Sequence, residues 1–170
     1  MARRRRSRST ASSPGETPPV DGPAEAMAAA VGYLAHAARS IAEVSQHLER
    51  RGIAPALAAT TLRGLAERGY IDDAALAERR AEELMLRRGC GRLKVAHELT
   101  RRGLTDTVVD RAISGVLEGR SEVALARAAL TRRLGEERPA SRAERAKAFR
   151  FLIGRGHPAD IVSEILGEDE

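Results

Sequence analysis

The amino-acid sequence predicts an all-α protein, in which tandem three-helix repeats stack into an elongated helical array behind a disordered N-terminal tail. Three observations support this prediction. From Ala24 onward, apolar residues recur with a helical period, and no stretch alternates apolar and polar residues as a strand does. Three segments of the chain align on a glycine. Residues 1–23 are rich in Arg, Ser, Thr, Pro and Gly and have too few apolar residues to fold.

The composition indicates an aliphatic core and a body with nearly balanced charge. Hydrophobic residues make up 42% of the 170-residue chain, but aromatic residues only 2%. The net charge is +5, of which the first 25 residues supply +2, from five arginines against three acids. Affinity for an acidic partner must therefore come from local patches or from the tail. We expect the tail to contact phosphates through Arg3, Arg4, Arg5, Arg6 and Arg8.

The repeat is defined by glycines that are 51 and then 53 residues apart, Gly52, Gly103 and Gly156. An arginine precedes each glycine, and a leucine lies four positions before it: Arg51, Arg102, Arg155, and Leu48, Leu99, Leu152. Apolar residues follow it at five and ten positions: Leu57, Val108, Ile161, and Leu62, Ile113, Leu166. A match by chance at so many positions is improbable, so we interpret the pattern as a true internal repeat.

Local signals agree with this repeat. Each glycine is predicted to end a helix in the left-handed conformation, which avoids a Cβ clash. Pro55 and Pro158 then lie near the start of the next helix, where a missing N–H does no harm. Ser40 with Glu43, and Ser141 with Glu144, have the spacing of capping boxes.

These signals divide the chain into a tail, 1–23, and a helical domain, 24–170. Within the domain we predict a leading helix at 24–38, a first repeat at 39–88, a second at 89–138 and a truncated third at 139–170. The third helices of the first two repeats are predicted at about 73–88 and 120–134.

The adjacent carboxylates Asp72 and Asp73 are the main candidates for catalysis or metal binding. They precede a predicted helix, where an N-cap acceptor and negative charge are favoured, so we interpret them as structural caps. Acid–base or metal chemistry and direct contact with a partner remain the alternatives. A metal site would need further ligands, and the four histidines show no ligand spacing with Glu, His or Cys.

Signatures of enzymes and of secretion are absent from the sequence. No phosphate-binding loop, dinucleotide fingerprint or nucleophile elbow occurs, so we predict a protein that is not an enzyme and has no cofactor or metal. Cys90 is the only cysteine, which rules out an intrachain disulfide. No signal-peptide core or membrane-length apolar run is present. We expect a cytoplasmic monomer without a membrane span.

Four motifs follow one another across roughly residues 31–167. The first has Arg39, Ser40, Glu43 and Val44, and the second is Gly-Tyr-Ile-Asp-Asp, from Gly69 to Asp73. The third comprises Arg92, Leu93, Glu98, Leu99, Arg102 and Gly103. The fourth comprises Phe151, Leu152, Arg155 and Gly156. In this order, the four motifs resemble those of the RecX family. Leu76 stands where that family usually has Phe, and Cys90 where Pro is common.

The resemblance implies a function as well as a fold of tandem three-helix repeats. Members of that family regulate RecA, mainly as inhibitors, within DNA recombination, repair and the SOS response. They bind the groove of the RecA filament on single-stranded DNA, block its extension and lower its recombinase and co-protease activities. The resemblance therefore makes the RecA filament the expected partner.

Two other functions remain open, a direct, non-specific DNA-binding protein and a general helical scaffold. Whether the partner is the RecA filament or DNA, we expect one cationic surface, which the stacking of the repeats assembles from helix ends. Its residues are Arg50, Arg51, Arg87, Arg88, Arg92, Lys94, Arg101 and Arg102. Because like charges repel, we expect this surface to matter more for function than for folding. The alternative is that these residues are only solvated helix ends.

Overall fold

The all-α prediction is confirmed in the computed structural model, which describes residues 22–135, 139 and 141–167. Those residues form nine α-helices and one π-helical turn, with no strand. The tail at residues 1–23 is predicted to be disordered, and residues 1–21 of it lie outside the described part of the chain. In the same part, no helix combines the length and the hydropathy that crossing a membrane requires.

The helices form three units of three. The first unit contains α1 (Pro23–Leu34), α2 (Ile41–Arg50) and α3 (Pro55–Glu67). The second contains α4 (Asp73–Glu82), which continues through the π-helical turn Glu83–Arg87, then α5 (Arg92–Arg101) and α6 (Asp106–Leu117). The third contains α7 (Glu122–Leu134), α8 (Arg142–Gly154) and α9 (Ala159–Gly167).

Each unit has its own aliphatic core, and these cores determine the grouping. The repeated leucines Leu48, Leu99 and Leu152 of α2, α5 and α8 are fully buried, one in each core. The first core also takes Ala26 and Ala30 from α1, so this helix belongs with α2 and α3. The predicted boundaries at residues 39, 89 and 139 fall between the first and second helices of these units. As a division of the chain into domains, they stay a prediction.

The helices α2, α5 and α8 all end in the same glycine turn. Gly52, Gly103 and Gly156 have φ values of 76°, 79° and 80°. In each turn the N–H of the residue after the glycine donates to the buried leucine carbonyl, at 3.1, 3.3 and 3.1 Å. This is the Schellman arrangement, which satisfies carbonyls that a helix end leaves without partners.

The units join through these turns. At the first junction, the end of α5 meets the start of α2, and the Ser40 hydroxyl donates to Arg102 O at 2.6 Å. At the second junction, the end of α8 meets the start of α5. There Gly91 N–H donates to Arg155 O at 2.9 Å and Leu93 N–H to Gly156 O at 3.1 Å. Amides at one helix start thus satisfy carbonyls at another helix end.

Glycine permits this close approach in two of the three turns. A Cβ on Gly103 would collide with the Ala42 side chain, and a Cβ on Gly156 would collide with the backbone of Lys94. Around Gly52 the space is open, because no helix of the described residues docks on the end of α2. The three turns share a backbone conformation but differ in what lies against them.

This difference predicts unequal effects of the same substitution. Gly52→Ala should lower the free energy of unfolding by about 1 kcal/mol, because alanine is strained at positive φ. Gly103→Ala should lower it by clearly more, because the collision with Ala42 adds to the same strain. Urea denaturation of the two variants measures both losses. Equal losses of stability would show that the first junction accommodates the added Cβ of Gly103→Ala at no further cost.

Candidate functional site

The predicted cations lie in three places rather than on one surface. Arg50 and Arg51 lie at the exposed, undocked end of α2, whereas α5 docks on its start. Since α2 has ten residues, about 15 Å of helix separates them from the first junction. Arg101 and Arg102 belong to that junction. The other four, Arg87, Arg88, Arg92 and Lys94, lie around the second junction.

The first junction forms an open cleft of about 440 Å³ with mixed charge. The cleft is lined by five arginines and three glutamates: Arg39, Arg79, Arg80, Arg101, Arg102, Glu43, Glu83 and Glu98. Arg39, Arg79 and Arg80 were not in the predicted cationic set. Their signal was present, since Arg39 belongs to the first family motif and Arg79 and Arg80 follow the carboxylate pair.

Arg102 holds the first two units together. Its Nε and Nη2 donate to the two carboxylate oxygens of Glu43 at 3.1 and 2.7 Å, and Nη2 also donates to Ala38 O at 3.0 Å. The two side chains are only 16% and 22% exposed. Although burial acts to raise the pKa of Glu43, the hydrogen bonds from Arg102 and from Ser40 N–H hold that pKa below its usual value. Arg102 therefore has a structural role at the first junction, whereas the expectation for the cationic surface as a whole stays a prediction.

Other arginines of this cleft are neutralised in the same way. Arg80 donates to Glu83 at 2.6 Å and to Glu98 at 2.9 Å, and its hydrogen bonds to these carboxylates raise its pKa. Glu83 also pairs with Arg88 at 2.9 Å, and Glu98 with Arg101 at 3.7 Å. At this junction the expected mutual repulsion is relieved, because tertiary structure places carboxylates between the cations.

The second junction is built on the carbonyls that follow α4. From the third unit, Arg132 Nη1 donates to Leu86 O and Arg87 O at 3.2 and 3.3 Å. Arg155 Nη1 donates to Arg88 O at 2.7 Å, and His157 Nε2 lies 3.2 Å from Gly89 O. Three side chains of one unit thus cap four consecutive carbonyls of another.

One substitution within the repeat explains why the two junctions differ. Nine residues before the anchoring glycine, the first repeat has Glu43 and the second has Lys94. Arg102 finds the carboxylate of Glu43, but its equivalent Arg155 lies against the start of α5, where Lys94 takes the place of the carboxylate. Arg155 binds Arg88 O instead and lies over the Phe151 ring, at 5.3 Å from its centroid.

The second junction therefore encloses a purely cationic cleft of about 340 Å³. Its lining consists of five arginines with Ala129 and Phe151, and no carboxylate: Arg87, Arg88, Arg132, Arg133 and Arg155. Only Arg87 and Arg88 were in the predicted set. Arg155 carried a signal, since it occupies the repeated position of Arg51 and Arg102, whereas Arg132 and Arg133 enter only because α7 packs near the end of α4.

The two carboxylates of the Asp pair have different partners. Asp72 is the N-cap of α4 and accepts from Ala75 N–H at 2.9 Å. Asp73 instead accepts from Ile41 N–H of α2 at 2.9 Å, and burial together with the neighbouring Asp72 raises its pKa against this bond. Its predicted role as a cap of its own helix is corrected to a cap across the first junction. In the described ranges, no three His, Cys, Asp or Glu side chains are grouped as metal ligands would be.

Ser40 and Ser141 are both present as N-caps. Each hydroxyl accepts from the N–H of the glutamate three residues later, at 3.1 Å for Glu43 and 3.2 Å for Glu144. Each glutamate accepts in turn from the serine N–H, which completes the capping box. Ser40 is also fully buried, because its hydroxyl reaches the second unit.

His157 is the titratable group that is most enclosed by the second junction, at 2% exposure. It occupies the position of Ile53 and Leu104 in the other two glycine turns. Burial lowers the pKa of His157, and the positive charge of Arg155 lowers this pKa further. The hydrogen bond to Gly89 O acts in the opposite direction and raises it. Its Nδ1 is buried without a hydrogen-bond partner in the described residues, so protonation there would create an unsatisfied donor.

Arg102→Ala should destabilise the protein by about 2 kcal/mol, because it leaves Glu43 and Ala38 O without their charged donor. The neighbouring Arg101→Ala is the matched control. Arg101 is 68% exposed and has one contact at 3.7 Å, so its removal should change stability by about 0.5 kcal/mol or less. Urea denaturation of both variants tests this ranking. Similar values would assign Arg102 to the solvated surface.

His157 should make stability fall as the pH decreases from 7.5 to 5.5. Its pKa is lower in the folded than in the unfolded protein, so the unfolded state takes up protons first. The contribution is complete above the unfolded pKa of about 6.5 and is lost as the pH falls toward the folded value. His157→Leu, which copies Leu104, should flatten the dependence of melting temperature on pH. An unchanged slope would place the titration elsewhere.

Comparison with known proteins identifies the three units. Three family models match in chain order: the first three-helix domain of RecX at residues 26–65, the second at 72–113 and the third at 121–166. These matches coincide with the units that the three cores define. They also confirm the predicted resemblance.

Similar proteins and structures agree with these matches. A regulatory protein RecX of Halorhodospira halophila is 39% identical over 79% of this chain and 81% of its own length. Another, from Amycolatopsis mediterranei, is 29% identical over 92% and 89%. The crystal structure of RecX from Lactobacillus salivarius has the same fold, with a TM-score of 0.69 at 22% identity, over 86% of this chain and 95% of that one. The chain therefore belongs to the RecX family of regulatory proteins.

Proposed function

We propose that this protein regulates the RecA recombinase, mainly as an inhibitor, by binding the groove of the RecA filament on single-stranded DNA. The observation that carries the proposal is the complete series of three RecX domains in their order along one chain. Bound in the groove, the protein would block filament extension and so lower recombinase and co-protease activities. This action is non-covalent binding, with no catalysis, cofactor or metal.

The end-to-end junctions support this proposal physically. Each unit has its own core, and the junctions place α2, α5 and α8 in succession. Such an array presents side chains over a long surface, as repeat proteins do when they bind extended partners. A helical filament repeats its subunits along a groove, so one array can contact several of them.

The cations that are exposed along the array are the proposed contacts. Arg50 and Arg51 lie at one end of it, and Arg87, Arg92 and Lys94 lie near the second junction. Arg88 and Arg101 are also mainly exposed, at 58% and 68%. Arg102 is withdrawn from this set, because its guanidinium is committed to Glu43. The tail arginines Arg3, Arg4, Arg5, Arg6 and Arg8 are proposed as auxiliary phosphate contacts.

Direct, non-specific DNA binding is the alternative function. The observation that favours it is the second cleft, whose lining has five arginines and no carboxylate. Guanidinium groups of this kind bind phosphate oxygens without reading sequence. On this alternative, RecA activity would fall only because DNA is sequestered.

The test is single-stranded-DNA-dependent ATP hydrolysis by RecA. We expect sub-stoichiometric amounts of the protein to slow hydrolysis, and to act more strongly when added before filament growth than after it. A blocked growing end stops many subunits, whereas sequestration needs protein in proportion to DNA. Excess free DNA should therefore relieve sequestration but not inhibition of the filament. Unchanged hydrolysis at a molar excess of protein would contradict the proposed function.

A further inference from the structure

The second cleft concentrates positive charge where three helix ends converge. Arg87 closes the π-helical turn after α4, Arg132 and Arg133 lie in the last turn of α7, and Arg155 follows α8. Glu83, which is not part of the lining, pairs with Arg88 at 2.9 Å. The first cleft has the same number of arginines but three glutamates among them, which neutralise most of its charge.

The charge that remains in the second cleft is substantial. Each helix end contributes roughly half a negative charge, which acts against the arginines. When these ends and Glu83 are set against the five guanidinium groups, about two to three positive charges remain. Arg87 and Arg133 have no ion-pair partner in the described residues, so they are the cations with most to gain from a ligand.

We infer that this cleft is a binding site for two adjacent phosphate groups, which either a nucleic-acid backbone or a free polyphosphate can supply. Two adjacent phosphate groups bring at least two negative charges on one narrow chain, and each presents non-bridging oxygens that guanidinium groups bind in pairs. Guanidinium groups that approach from several sides suit a tetrahedral phosphate, and each can donate two parallel hydrogen bonds. The concave shape also favours a narrow phosphate chain over an acidic protein surface, which would have to insert its own backbone.

The site exists only when the second and third units are docked. Arg132 and Arg155 line the cleft and at the same time hold the carbonyls of Leu86, Arg87 and Arg88. Gly89 allows this approach, since a Cβ there would lie 2.8 Å from Arg132 Nη2 and from the Ala129 side chain. A phosphate ligand would therefore also strengthen the junction.

The test compares two charge reversals of equal size in the full-length protein. Arg87→Glu with Arg133→Glu removes the two unpaired cations without touching the side chains that hold the junction. Arg63→Glu with Arg111→Glu makes the same change in net charge, at exposed positions of α3 and α6 outside both clefts. Melting temperatures of both double variants without ligand confirm that they fold.

The backbone arm uses fluorescence anisotropy with a labelled oligothymidylate over a series of salt concentrations. The cleft variant should bind roughly tenfold more weakly than the control variant. Its slope of log affinity against log salt should be shallower by about 1.4, or 0.7 for each lost phosphate contact. The free-polyphosphate arm uses inorganic pyrophosphate, which should raise the melting temperature of the control but not of the cleft variant.

Weaker oligothymidylate binding by the cleft variant, or loss of its stabilisation by pyrophosphate, supports the site. The arm in which the loss occurs indicates whether a nucleic-acid backbone or a free polyphosphate supplies the phosphates. Equal behaviour of the two variants in both arms would overturn the proposal. A labelled polyglutamate peptide is the remaining probe. If only its binding depends on Arg87 and Arg133, the cleft takes a carboxylate-bearing protein, and the phosphate assignment is wrong. None of these assays contains RecA, so their outcome is independent of the filament assay.

Discussion

The architecture depends on the hydrogen bonding of one helix end to the start of another across a glycine turn. Carbonyls at a helix end and amides at a helix start both lack partners within their own helix. At the second junction these groups satisfy each other, through Gly91 N–H on Arg155 O, whereas at the first junction the Ser40 hydroxyl donates to Arg102 O. Burying such groups unpaired would cost several kcal/mol. Because a Cβ on Gly103 or Gly156 would meet the docking helix, the repeat retains glycine for packing as well as for its backbone conformation.

The side chains around these two contacts give the junctions different chemistry. The first junction is sealed by the ion pair of Glu43 with Arg102. The second is sealed by neutral backbone carbonyls that accept from Arg132, Arg155 and His157. Ion pairs consume the charge of the arginines, whereas carbonyls leave most of it available. The second junction therefore combines a structural role with an unneutralised cationic cleft.

The difference between the two junctions matters because the units themselves are small. Each core is small, and that of the third unit has only five buried members. The polar contacts at each junction therefore help to place the units, together with apolar contacts such as that of Leu125 of α7 on the core of the second unit. A phosphate ligand at the second junction would change the stability of that contact, and so would protonation of His157. Binding and the shape of the array are coupled through the same side chains.

The sequence by itself determined the helical class, the repeat and the caps, because these depend on interactions within a few residues. The glycine anchors, the Schellman turns and the boxes at Ser40 and Ser141 are of this local kind. Only tertiary structure decided that Asp73 caps α2, that Glu43 neutralises Arg102, and that Arg132 and Arg133 join Arg87. These partners are 32, 59 and 45 or more residues apart. No local pattern encodes which side chains meet at that separation, because it follows from how whole units dock.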